Sequence, residues 1–205
     1  HNSRIEKLEI WHPNGGGNFE MDGSNFVRAL CSRRNLKHLQ LNWGIDVSGR
    51  SQSETIYLHL TPADMGQFGT MPVLESLKLS DAPPDGVKHL LGEHPFNLRR
   101  FEIDDDEPFE RLTEGDFLEF LDFLEHPECK LEHFGNVDAG SFECFAASAA
   151  EAVDERLKDP IGSLTNVLRD KNSTFTGFNW PEREEVSFYC KMNKSCPNRL
   201  DLRQQ

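Results

Sequence analysis

One phrase recurs along the chain: an apolar residue, two others, an apolar residue, one other, an apolar residue. Leu36-Lys37-His38-Leu39-Gln40-Leu41 is the cleanest copy, and Leu74-Glu75-Ser76-Leu77-Lys78-Leu79 is nearly as clean. Ile5-Glu6-Lys7-Leu8-Glu9-Ile10 and Leu98-Arg99-Arg100-Phe101-Glu102-Ile103 carry it with conservative changes. The alternation in each copy is that of a strand with one buried face. A strand phrase that returns at long intervals, with helical patterning between copies, points to repeated units that bury their apolar faces only by stacking.

The intervals support this reading. A glycine turn, Asn14-Gly15-Gly16-Gly17, follows the first phrase, where positive φ costs little. Ser24 is placed to cap a helix whose Phe26, Val27, Leu30 and Cys31 form one stripe. Residues 42–54 read as a polar loop, and Ile56-Tyr57-Leu58-His59-Leu60 as an insertion or degenerate strand. Thr61-Pro62-Ala63-Asp64 has the features of a helix start: capping hydroxyl, proline at the first position, acid at the positive end of the dipole. Thirteen residues separate Thr61 from Leu74, and thirteen separate Asp85, read as a second cap, from Leu98. One structural unit used twice is the economical explanation.

Downstream, Leu112-Thr113-Glu114-Gly115-Asp116 echoes Leu60 to Asp64 and opens a helix that Pro127 ends. Its buried stripe is Phe117, Phe120, Leu121 and Leu124. A fifth phrase starts at Leu131-Glu132-His133-Phe134 but has Asn136 in its third apolar slot, with Val137 a substitute through a bulge. Phe142, Phe145, Ala146, Ala149, Val153 and Leu157 mark a helix over roughly 141–158, which Pro160 and Gly162 break before Ile161, Leu164, Val167 and Leu168 mark another. The sixth phrase is Phe175-Thr176-Gly177-Phe178-Asn179-Trp180. Glu184 to Asn193 would close the core with Val186, Tyr189 and Met192, and the tail after Pro197 reads as frayed.

At these phrases the chain resembles leucine-rich repeat proteins, most of all the irregular ribonuclease-inhibitor-like class. Asn172-Ser173-Thr174-Phe175-Thr176-Gly177-Phe178 is similar to the asparagine-led phrase of that class and of NLR-type receptors. The usual asparagine three residues after the last leucine is missing; Gly44, Ala82 and Asp106 stand there. The resemblance implies an α/β leucine-rich repeat solenoid of about five to six irregular repeats, with a curved parallel sheet on the concave side and helices on the convex side. The array would occupy residues 1–180, and residues 181–205 would be a C-terminal capping segment and tail. It also implies a protein-binding role without catalytic residues.

Alternation along each strand sends the residues between the apolar slots to the opposite face. That face would be lined by Lys7, Glu9, Trp11, His38, Gln40, Asn42, Ser76, Lys78, Ser80, Arg100, Glu102, Asp104 and His133, continuing to Gly177 and Asn179. The mixture suits a polar protein surface better than a lipid or an apolar cofactor. Trp11 and Trp43 follow their strands and read equally as partner anchors or as packing over a repeat edge, whereas Trp180 reads as core.

Charge narrows the partner. The net charge is −13, and residues 101–128 hold twelve acids against the single base Arg111. Nucleic acid is gripped by Lys and Arg on phosphates, so a protein partner with a basic patch is expected instead. No apolar run approaches the roughly 20 residues that span a bilayer. The chain opens on His1 with no charged-then-apolar leader, which reads as a fragment of a longer protein. In the version of the reading that follows, it is the recognition part of a receptor or adaptor, monomeric by itself.

Five scattered cysteines, Cys31, Cys129, Cys144, Cys190 and Cys196, fit neither a disulfide framework nor a paired zinc site. Reduced thiols in the cytoplasm or nucleus are expected, with Cys190 and Cys196 free to pair in an oxidising compartment. Asn172 and Asn193 each stand in a glycosylation triplet of little weight. Asp104-Asp105-Asp106-Glu107 lacks the alternating spacing and turn glycine of a calcium loop and reads first as a solvated acidic turn. The competing reading makes it, with nearby histidines, the centre of a metal-dependent hydrolase. Nothing spaces His12, His38, His59, His89, His94, His126, His133 or Cys129 as HExxH or CxxC, and no phosphate-binding glycine loop is present. No enzyme activity and no cofactor are expected.

Overall fold

The computed structural model describes residues 5–11, 23–42, 60–80, 82–103, 112–135, 154–178 and 183–202. Within them the chain is α/β. Six strands form one sheet, all parallel, whose spatial order is the sequence order: β1 (Lys7–Trp11), β2 (His38–Asn42), β3 (Ser76–Leu79), β4 (Arg100–Ile103), β5 (His133–Gly135) and β6 (Gly177–Phe178). The helices described are α1 (Gly23–Cys31), α2 (Pro62–Gly69), α3 (Gly86–Gly92), α4 (Glu114–Glu125), α5 (Pro160–Asp170), α6 (Glu184–Ser195) and α7 (Arg199–Leu202), with a 3-10 turn at Glu155–Leu157. Consecutive helices pack on one another from α1 to α4, then α4 on α5 and α5 on α6.

The phrase sets the register. Leu8, Leu39, Leu77, Phe101, Phe134 and Phe178 stand opposite one another across the sheet, and Ile10, Leu41, Leu79 and Ile103 form the next row. From β2 to β6 the first of these rows is buried, as are the opening residues Leu36, Leu74, Leu98, Leu131 and Phe175. Slot size grows along the array from leucine to phenylalanine, and the late core is aromatic. Phe120 of α4 meets Phe134 edge-on at 5.3 Å and Phe175 at 5.6 Å, separations within the favourable range for such pairs.

A backbone device repeats at every strand entrance. The carbonyl of Glu6 accepts from the amides of Lys37 and His38, that of Lys37 from Glu75 and Ser76, that of Glu75 from Arg99 and Arg100, and that of Arg99 from Glu132 and His133, at 2.8–3.1 Å. Glu132 accepts from the Thr176 amide, and the Thr176 hydroxyl takes the second place at 2.8 Å. The side chains of this row alternate in sign, with ion pairs Lys37–Glu6 at 3.5 Å and Arg99–Glu132.

The helix starts are built as the sequence implies, with an addition. Thr61 and Thr113 cap α2 and α4, and Asp64 and Asp116 close reciprocal capping boxes. Both carboxylates are buried, because each also joins its helix to the preceding one. Asp64 Oδ2 accepts from Ser24 Oγ at 3.3 Å, and Asp116 Oδ1 from the Lys88 amide at 2.7 Å. Ser24 therefore lies inside α1, which already includes Gly23, rather than capping it. Asp85 occupies the N-cap of α3 but in a left-handed conformation, φ 58°, with no capping bond of its own; its Oδ1 accepts from Thr113 Oγ1 at 2.7 Å. Tight helix packing demands Gly69, where a Cβ would stand 2.4 Å from the Leu90 carbonyl oxygen.

The C-terminal part departs most from expectation. Pro160 and Gly162 sit in the first turn of α5 instead of separating helices, because Asp159 caps it through the Gly162 amide at 2.9 Å. Of the helix expected over 141–158, residues 141–153 lie outside the described residues, and the remainder is the 3-10 turn that buries Leu157. The closing helix α6 buries Val186, Cys190 and Asn193, with Tyr189 and Met192 half-buried beside them. Residues 198–202 after Pro197 are tied down: Arg199 is buried, its guanidinium donating to the carbonyls of Leu168, Arg169 and Asn172. A cation on the last carbonyls of α5 is placed where the helix dipole favours it. Cys190 and Cys196 are not joined in a disulfide; the first is buried and the second exposed. No helix among the described residues is long and apolar enough to cross a membrane.

Candidate interaction surface

One face of the sheet is sealed by the helices; the other carries the polar residues of the strands. They form two rows across the register. The first runs Lys7, His38, Ser76, Arg100 and His133, and the second Glu9, Gln40, Lys78 and Glu102. The strands bring together eight of the side chains expected on this face, Lys7, Glu9, His38, Gln40, Ser76, Lys78, Arg100 and Glu102, around an open hollow of about 350 Å³. Leu8 and Leu39 also border it. The phrase could not distinguish a border contributed by an apolar slot from a buried one.

The hollow is held by ion pairs. Lys7 meets Glu9 at 2.7 Å, and Glu102 lies between Lys78 at 3.5 Å and Arg100 at 2.5 Å. Glu102, whose side chain is only 14% exposed, is the most enclosed charge of the set. His38, Gln40 and Ser76 engage no side-chain partner among the described residues. Their hydrogen-bonding capacity faces the solvent of the hollow.

The remaining expected residues fall elsewhere. His133 continues the first row on β5, half-buried and outside the hollow's lining. Asn42 ends β2, half-buried, with Oδ1 enclosed and unbonded among the described residues. Ser80 follows β3, its amide donating to the Leu41 carbonyl at 3.0 Å. Trp11 lies on β1 opposite Asn42 in the register. Gly177 on β6 is buried at φ 140° and contributes backbone alone. Asp104, Asn179, Trp43 and Trp180 lie outside the described residues, as do the acidic run 104–107 and the possible strand at 56–59.

No group of three or more His, Cys, Asp or Glu among the described residues could hold a metal ion. Burial pushes the Cys129 thiol up to about 11, away from the thiolate form that a cysteine nucleophile uses. His126 packs face to face on Phe96 at 4.3 Å at the end of α4. The two glycosylation triplets are also ruled out as acceptors, because Asn172 and Asn193 are buried. Asn172 binds the Leu124 carbonyl and the amides of Thr174 and Phe175.

No protein-family model matches the chain, and no curated protein matches it by sequence.

Proposed function

We propose that the chain is a non-enzymatic interaction module of the leucine-rich repeat kind, an α/β solenoid of irregular repeats that binds a protein partner through the open polar face of its sheet. The observation that carries this is the hollow of about 350 Å³ bordered by side chains from four consecutive strands. A surface assembled from two or three residues per strand, on a backbone whose register repeats, is rigid and can be varied position by position. The in-register parallel sheet in sequence order, the entrance device common to five strand junctions and the sequential packing of helices support the repeat reading. The absence of a disulfide at Cys31, Cys129, Cys190 and Cys196 suits a reducing compartment.

The partner is a protein carrying a basic patch, which the −13 charge of the chain as a whole attracts at long range. In a larger receptor or adaptor this array would be the recognition part. The test places a photo-cross-linking residue at Gln40 on the face and, in a second variant, at the exposed Lys191 of α6. In extract from the native host, a discrete protein adduct is expected from position 40 and is lost when Lys78→Glu is added. An adduct from position 191 with none from position 40 would move the binding surface off the sheet.

A further inference from the structure

The hollow has a charge that runs against the rest of the chain. Among the described residues its border holds three cations, Lys7, Lys78 and Arg100, against two carboxylates, Glu9 and Glu102, in a molecule of net charge −13. We propose that this hollow receives an acidic side chain, Asp or Glu, presented by an extended segment of the protein partner. The proposal rests on the reading of this face as the binding surface and gives the chemistry of its central contact.

Geometry places the contact over Ser76. In the first row Ser76 stands between His38 and Arg100, one strand spacing of about 4.8 Å from each. A carboxylate set there can accept from the Ser76 hydroxyl, from an imidazole N–H of His38 and from the Arg100 guanidinium, and Gln40 can donate from the second row. Ionised carboxylates are acceptors only, with about four lone-pair sites, so this group of donors suits them.

Other occupants fit less well. A partner cation would meet Glu9 and Glu102 only where each is already shared with a lysine or arginine, and three cations would repel it. An apolar side chain would strip water from His38, Gln40 and Ser76 without replacing their hydrogen bonds, which is costly. A phosphate brings close to two negative charges, whereas the lysines, arginine and carboxylates described on the border sum to one excess positive charge.

The full chain is used as bait for a displayed library of random twelve-residue peptides, alongside Gln40→Phe, which fills the hollow with a neutral ring, and Arg100→Glu. Thermal unfolding of both variants verifies that they fold; both residues point to solvent space, and Arg100 is more than half exposed. Peptides lost on Gln40→Phe are expected to share an Asp or Glu. Replacing that acid by its amide, or the bait by Arg100→Glu, is expected to weaken binding about tenfold or more, the scale of a charge-assisted hydrogen bond. Peptides lost on Gln40→Phe that share no acid, or that bind Arg100→Glu undiminished, would overturn the proposal and leave the binding face standing. Failure to recover any peptide sensitive to Gln40→Phe would remove both.

Discussion

Asn193 near the end of α6 receives Arg199: the guanidinium Nε donates to Asn193 Oδ1 at 2.8 Å, and both side chains are buried. Asn193 in turn donates to the Phe175 carbonyl at 2.7 Å, so the last helices are bonded to the entrance of β6. Arg199→Ala strands four acceptors and is expected to cost roughly 2–4 kcal/mol in urea unfolding. Arg199→Lys should recover only part, since an ammonium cannot span the same fork of acceptors. Asp201→Ala, at an exposed position two residues on, should stay within about 0.5 kcal/mol of the parent. Equal effects at 199 and 201 would show that the segment does not lock the end of the sheet.

Gly69 and Gly66 lie one turn apart on α2 and should respond with opposite sign. A methyl at 69 collides with the Leu90 carbonyl and with Glu93 Cβ at 2.8 Å, whereas at 66 the nearest atom is 3.6 Å away. Gly69→Ala is expected to destabilise by about 1–3 kcal/mol through forced separation of α2 and α3. Gly66→Ala is expected to be neutral or to gain up to about 1 kcal/mol, because glycine inside a helix is entropically unfavourable. Thermal unfolding of the two variants side by side checks the sign.

Thiol reactivity should divide by burial. The Cys31 and Cys129 thiols are pushed up to about 11, chiefly by desolvation, with the Asp64 charge adding at Cys31. Cys196 is exposed. Brief treatment with iodoacetamide at pH 7.5, followed by mapping of modified peptides, should label Cys196 and spare Cys129 until urea is added. Labelling of Cys129 at the rate of Cys196 would contradict the packing of α4 onto the sheet.

Asp116 supplies a pH test of the helix ladder. Burial raises its carboxyl above the ordinary value, against the opposing bonds from the Thr113 and Lys88 amides, while Asp85 adds to the rise. A raised folded-state value means that its contribution to stability is fully present below the unfolded-state value near 3.9 and declines as pH rises through the folded-state value. The stability of the parent minus that of Asp116→Asn should therefore be largest near pH 3.5, fall as pH rises, and flatten by neutrality. A difference that grows with pH would reverse the assignment.

The face itself predicts a salt-sensitive arrangement around Glu102. Glu102→Gln removes the shared partner of Lys78 and Arg100, and pairs whose cation stays open to solvent, as Arg100 does, contribute only about 0–1 kcal/mol each. Stability should change little, while the hollow gains positive charge. The measurement is the unfolding midpoint at low and high salt: a loss above about 2 kcal/mol would make the pair structural rather than part of a binding surface.

Much of the strand framework was legible because alternation is local. Leu36, Leu74 and Leu98 open strands in the sheet, and the residues between the apolar slots of β2 and β3 come together on one face as the period of two requires. Capping by Thr61 and Thr113 was equally readable, since cap and acid lie within four residues in both, with a proline after Thr61. Asp85 stands at the expected N-cap, but what its carboxylate binds, and the places of Ser24 and Gly162, were not legible for one reason: the partners Thr113, Asp64 and Asp159 decide what each group does, and two of the three are remote in sequence. The alternating signs at Glu6, Lys37, Glu75, Arg99 and Glu132 were visible in the second slot of each phrase, and aligning the phrases in register would have found them.

The order of apolar residues alone determines which segments are strands and which of their side chains seek the core, because both follow from short-range periodicity and the gain from burial. Tertiary structure alone decides that three cations and two carboxylates surround one hollow, and that Asn172, Asn193 and Arg199 are spent inside rather than on a glycan or a loose tail. Those outcomes depend on distances between residues tens of positions apart, and electrostatic and hydrogen-bond energies are set by distance and burial, which no local pattern contains.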